Sequence, residues 1–183
     1  RANSAGAEFV EVRFDRLYLI KPQPEAQEDE NGEIKHVMAP DDEWHVKEAT
    51  EVDANEAIST LKESIPLPVI FTVRPVTEGG HFPGSEDERL AILESAIASK
   101  VNSIDLELSI EASKRTALLE MAKANGVNII ASIHNTTTTP SAEELVEMVK
   151  EHSTEDTIFK FCGTVNDHQD ALQIVEACYD LKN

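Results

Sequence analysis

From residue 69 onward, short β-branched apolar runs alternate with longer amphipathic stretches, and that rhythm argues for βα units on a parallel sheet. The candidate strands cover residues 9–14, 69–73, 103–106, 128–133 and 157–161. Helix patterns follow at 55–64, 85–99, 110–124, 141–150 and 167–181. Two helix starts carry a capping box, Ser85 with Glu88 and Ser141 with Glu144, and Asn125-Gly126 supplies a stop after the middle helix. Between the first strand and its helix lies an acidic, proline-containing stretch, 21–53, longer than an ordinary βα connection. Asn31-Gly32 marks a turn inside it, compatible with a disordered insertion or with an excursion carrying a hairpin.

A chain of 183 residues, 40% of them hydrophobic, can close one sizeable core, so a single domain over 1–183 is the expectation. No apolar run approaches the roughly 20 residues that span a bilayer, and the first residues lack a secretory pattern, which predicts a cytoplasmic protein. Cys162 and Cys178 are too few and too far apart for a disulfide framework or a zinc site. Against 16 Lys plus Arg stand 35 Asp plus Glu, a formal net charge of -19 that repels phosphate backbones and anionic lipid. Nucleic acid and membrane are therefore not expected partners.

Side chains alternate along a strand. If Val10, Val12 and Phe14 pack under the helices, then Glu11, Arg13 and Asp15 point to the opposite face. The pattern recurs with Thr72 and Arg74, Asp105 and Glu107, Ser132 and His134, and Ile158 and Lys160. Ionisable groups thus gather toward the C-terminal ends of separate strands, the face on which (β/α) barrels build active sites. Any one Arg or Glu among them is ordinarily a surface ion pair, and a lone His a structural one. Lys160 stands apart because it interrupts the apolar run 158–162, although an edge-strand lysine that blocks aggregation is the alternative.

Taken together, VEVRFD at 10–15, VIFTVRPVTEGG at 69–80, IDLEL at 104–108, IIASIHNTTTTP at 129–140 and IFKF at 158–161 resemble the type I 3-dehydroquinate dehydratases in order and spacing. The resemblance runs from residue 8 to about residue 181, apart from the acidic stretch. It implies a (β/α)8 TIM barrel, here incomplete with about five βα units. It also implies dehydration of 3-dehydroquinate to 3-dehydroshikimate in the shikimate pathway, with no metal or organic cofactor. By position Lys160 resembles the Schiff-base lysine, His134 the general acid/base, and Glu78 of Glu78-Gly79-Gly80 the carboxylate that orients the histidine. Glu11, Arg13 and Arg74 resemble substrate-binding residues. Members of the family are often homodimers. They carry eight strands, with an Arg and a Pro-Gly-Gln segment on the last ones, so this sequence is expected to be part of a longer protein or a truncated variant.

The chemistry suits these residue types. An imine gives the electrons of a departing α-proton somewhere to go, and a lysine can form one if a desolvated site with a nearby cation keeps it neutral. Ile158, His134 and the arginines are the expected source of that environment. The substrate is itself a carboxylate, so local cations must offset the negative field of the chain. Another class I Schiff-base aldolase or lyase would share the lysine without explaining the Glu-Gly-Gly motif. A non-catalytic homologue that keeps the fold would not need an intact Lys160 and His134.

Overall fold

The computed structural model describes residues 2–182. Its nine strands are β1 (Val10–Arg13), β2 (Leu19–Ile20), β3 (Glu25–Glu28), β4 (Ile34–Val37), β5 (His45–Val46), β6 (Val69–Thr72), β7 (Ser103–Glu107), β8 (Asn128–His134) and β9 (Thr157–Cys162). Five α-helices follow the expected pattern: α1 (Ala54–Ser64), α2 (Glu86–Ala98), α3 (Ala112–Asn125), α4 (Ala142–His152) and α5 (His168–Asp180). The main sheet runs β1-β6-β7-β8-β9 and is parallel throughout, so each βα unit adds its strand beside the previous one. The sheet does not close into a barrel; β1 and β9 are its edges.

Both capping boxes form, with Ser85 and Ser141 accepting from the backbone of Glu88 and Glu144. Gly126 ends α3 in the left-handed region at φ 69°. The helix expected from residue 110 begins at Ala112 because the Glu111 side chain caps the amides of Ser113 and Lys114. The acidic stretch takes the second of its two readings. β3 and β4 pair as an antiparallel hairpin around Gly32, at φ 80°, while β2 and β5 pair at its base.

The first strand is shorter than its apolar pattern, since Phe14 starts a 3-10 turn (Phe14–Tyr18) that carries two aromatic rings into the core. Phe14 packs against Phe71 with centroids 5.1 Å apart, and Tyr18 meets Phe82 edge-on at 5.2 Å. That core lies between the outer face of the sheet and the helices. Phe71, Val73, Ile104, Leu106 and Ile129 supply the strand side, and Ile58, Leu93, Ile97, Leu118 and Ala122 the helix side. Burying each of the large apolar side chains among them contributes on the order of 2 kcal/mol. The alternation inferred for the strands therefore holds: 10 and 12, 71 and 73, 104 and 106 face the helices. Their neighbours, polar toward the strand ends, line the other face. Among the described residues no helix is long and apolar enough to cross a membrane.

Candidate active site

Arg74 lies two residues beyond the end of β6 and turns its guanidinium across the inner face of the sheet. Its Nη1 donates to Glu107 Oε1 at 2.7 Å and to Ser132 Oγ at 3.2 Å, and its Nη2 to Asp105 Oδ2 at 2.9 Å. The Ser132 hydroxyl also donates to Asp105. From the helix layer, Arg89 of α2 reaches the second oxygen of Glu107 at 2.8 Å, the carbonyl of Val73 at 2.8 Å, and Glu86. A line of alternating charge thus crosses the sheet from Arg89 through Glu107, Arg74 and Asp105 to Lys160. The first four members are nearly or wholly inaccessible to water. Such charges persist in an interior only when each has a partner, and every one here does.

The carboxyls respond to that setting. Burial pushes Asp105 up, but the Arg74 guanidinium, with Ser132 and Lys160, more than offsets it and holds the group below the ordinary carboxylate range. For Glu107 burial prevails, and the group sits above its usual value against the opposing pull of Arg89 and Arg74. Carboxyls shifted by burial and by specific charge partners at strand ends mark this face as a candidate functional site.

His134 is the last residue of β8, and Glu78 belongs to the 3-10 turn Val76–Glu78 that follows Arg74. Glu78 Oε2 accepts the backbone N–H of His134 at 3.1 Å and faces its Nδ1 at 3.2 Å. The other carboxylate oxygen accepts from Ser109 at 2.5 Å. Burial pushes Glu78 up, yet the contacts with His134 and Ser109 and the charge of Arg74 bring it below its usual value. An ionised acceptor at Nδ1 fixes the proton there and leaves Nε2 for a ligand.

The two glycines after Glu78 have separate physical reasons. Gly79 ends the turn at φ 76°, where a side chain is strained. Gly80 packs so closely on Arg74 that a Cβ would sit 2.0 Å from its carbonyl oxygen.

Lys160 lies on β9, opposite Ser132 of β8, while His134 is opposite Cys162. Lysine and histidine therefore share a face of adjacent strands, offset by two residues, roughly 7 Å along the strand. Lys160 Nζ donates to Asp105 Oδ2 at 3.0 Å and lies 3.6 Å from Glu11 Oε1. With Glu11, Ile70, Ile130 and Ile158 it borders a cleft of about 880 Å³ on the inner face.

Two expectations change here. Ile158 is 64% exposed on the edge strand and so does not bury the lysine as expected. The nearest charges to the lysine are carboxylates rather than the expected cations, because Arg74 reaches it only through Asp105.

The structure gathers five of the six expected residues around this face in two clusters, Lys160 with Glu11 and His134 with Glu78 and Arg74. Arg13 is turned aside: it makes a bidentate pair with Asp15 at 2.8 and 2.7 Å and remains 30% exposed at its side chain. Asp15 is buried and braces the site by accepting the backbone N–H of Arg74 and of His81. Arg74, expected to meet substrate, is 2% exposed and engaged with protein carboxylates. Glu11 accepts from Thr72 at 2.8 Å.

Asp105 and Glu107 share the parity of the site but carry no role in the resemblance, and Arg89 lies outside the strand pattern altogether. Its signal was present, since residues 89, 93 and 96 form one buried stripe of α2 in which an arginine is out of place. Among the described residues no group of three His, Cys, Asp or Glu is arranged to hold a metal ion.

The family model described as type I 3-dehydroquinase matches residues 1–183. The chain is 27% identical to 3-dehydroquinate dehydratase of Methanosarcina acetivorans, over 100% of this chain and 65% of that protein. It is 34% identical to the enzyme of the same name from Methanothermobacter thermautotrophicus, over 82% of this chain and 51% of that one. Among solved structures, 3-dehydroquinate dehydratase from Enterococcus faecalis superposes with a TM-score of 0.70 at 22% identity, covering 93% of this chain and 61% of that one. The type I enzyme from Clostridium difficile, solved with covalently modified comenic acid, gives 0.68 at 20% identity, covering 96% and 60%. These structures share the fold, and the chain spans between half and two thirds of the length of the four proteins. With the motif order, the strand-end site and the match over its whole length in agreement, the chain belongs to the type I 3-dehydroquinase family.

Proposed function

We propose that the protein, as a complete chain, dehydrates 3-dehydroquinate to 3-dehydroshikimate through an imine on Lys160. The observation that carries this reading is the shared face of Lys160 and His134 on adjacent strands, with Glu78 held at 3.2 Å from the imidazole. Lys160 condenses with the ketone, and the resulting iminium draws in the electron pair left when His134 Nε2 removes the neighbouring proton. The same imidazolium returns that proton to the departing hydroxyl, so one residue serves both steps. Hydrolysis of the iminium then frees the lysine. The iminium is itself the electron sink, which leaves no task for a metal or an organic cofactor.

Glu11 and Arg13 form the binding side of this reading, while Arg74, expected there too, is buried behind it among protein carboxylates. Arg13 is the more exposed of the two arginines, and to meet an anionic substrate against the net charge of -19 it has to swing off Asp15. The reading further assigns the chain a single domain over residues 1–183, a cytoplasmic location and a homodimeric assembly.

The test is chemical trapping. Borohydride added with 3-dehydroquinate should fix one adduct per chain on the peptide containing Lys160, and Lys160→Ala should abolish it. An adduct on Lys47 or Lys100 would overturn the assignment of the nucleophile. A fully active protein with no adduct would sink the imine route.

A second test concerns Glu78, which acts through His134. Glu78→Gln removes the ionised acceptor at Nδ1, so the expected result is a lower kcat and a displaced pH optimum. A change confined to KM would make Glu78 a substrate-binding residue instead.

A further inference from the structure

The carboxylate nearest the Lys160 nitrogen has no part in the scheme above. Asp105 is wholly buried, and its Oδ2 accepts from Lys160 Nζ at 3.0 Å. Its remaining contacts all fix it in place: Arg74 Nη2 at 2.9 Å on Oδ2, Arg74 Nη1 at 3.4 Å on Oδ1, and the Ser132 hydroxyl. Arg74 is locked in turn by Glu107, and Glu107 by Arg89. A buried carboxylate so constrained stabilises positive charge on the nitrogen it touches, and it does so without reorganising at the moment of reaction.

We infer that Asp105 is a catalytic residue, the counter-ion that keeps the Lys160 imine protonated, with Arg74, Glu107 and Arg89 as positioning residues that hold it there. The inference rests on the imine chemistry proposed above. In that chemistry an ammonium and a ketone give an iminium and water: the C–N bond forms, and the carbonyl oxygen leaves with the two protons the nitrogen gives up. The nitrogen carries one positive charge before and after. Loss of the neighbouring proton to His134 sends the C–H pair toward nitrogen, which becomes neutral in the enamine. Expulsion of the hydroxyl draws that pair back out and restores the charge. An imine that has lost its own proton is a far weaker sink, so whatever keeps it protonated sets the upper pH limit of the reaction.

Charged groups on the neighbouring elements are Glu11, 3.6 Å from the nitrogen, and Arg13 on β1, Arg74 beyond β6 with Glu78 in the turn that follows it, Glu107 on β7, and His134 at the end of β8. Asp105→Asn leaves all of them in place and removes only the carboxylate in contact. In the complete protein this variant should lower kcat about a hundredfold. The alkaline limb of its kcat profile should move to lower pH, because the iminium gives up its proton more readily, while KM stays within a few-fold. A looser site alone would lower kcat without moving that limb. The counter-ion role is overturned if Asp105→Asn keeps kcat within threefold, or loses it with the limb unmoved, in a preparation whose wild type yields the Lys160 adduct. Failure of the wild type to yield that adduct would instead overturn the imine reading itself. Should Asp105→Asn not fold, the ¹⁵N shift of labelled Lys160 in the wild-type imine decides. A protonated iminium at neutral and mildly alkaline pH supports the role, and a neutral imine at neutral pH rejects it.

Discussion

His134→Ala in the complete protein is expected to lower kcat by at least about 10²-fold while the Lys160 imine still forms and is still trapped by borohydride. The split follows from the geometry. His134 ends β8 with its Nδ1 against Glu78, whereas Lys160 is held by Asp105 and Glu11 on the other side of the same face. Nothing that positions the lysine passes through the imidazole, so condensation with the ketone survives its loss. The proton transfers do not, because among the described residues His134 is the imidazole paired with Glu78 at this end of β8. Glu78 loses its imidazole partner in this variant, but it keeps the Ser109 hydrogen bond and lies 4.0 Å from Arg74, contacts that favour its ionised form and tie it to the protein. A His134→Ala protein that kept more than about a tenth of wild-type kcat would show that another group moves the proton. One that lost trapping together with turnover would tie the histidine to imine formation.

How far the sequence reaches depends on what each inference needs. The βα order was legible because strand and helix periods differ and because Ser85, Ser141 and Gly126 punctuate them locally. The face of the sheet was legible too, since Arg74, Asp105, Glu107, Ser132 and Lys160 obey one alternation. What alternation cannot supply is distance across strands. The contact between Lys160 and Asp105 joins residues 55 apart in sequence, and it depends on register between strands that are not themselves neighbours. That is why cations were expected beside the lysine where the structure has carboxylates. The hairpin β3–β4 was an even choice for a similar reason: Asn31-Gly32 signals a turn, but four exposed residues on each arm give no apolar pattern to count.

Arg89 supports the largest expected change in stability. Its side chain is 2% exposed, and it meets Glu107 at 2.8 Å, the Val73 carbonyl at 2.8 Å and Glu86 at 2.7 Å. Arg89→Met keeps most of the apolar stem and removes the guanidinium. One oxygen of Glu107 and the carbonyl of Val73 then lose their donors inside the protein, where water cannot replace them. Breaking a buried pair from one side costs about 3–5 kcal/mol. For a chain of this size that corresponds to a fall in Tm of roughly 6 to 20 °C. Glu86 makes a control within the same network, because it is 44% exposed at its side chain and binds the same guanidinium from the outside. Glu86→Ala removes a solvent-screened pair and should cost no more than about 1 kcal/mol. Thermal or urea unfolding of the two variants beside wild type measures the contrast. Equal losses would mean that Arg89 matters through the surface pair, and an Arg89→Met protein within about 1 kcal/mol of wild type would mean that Arg74 alone satisfies Glu107.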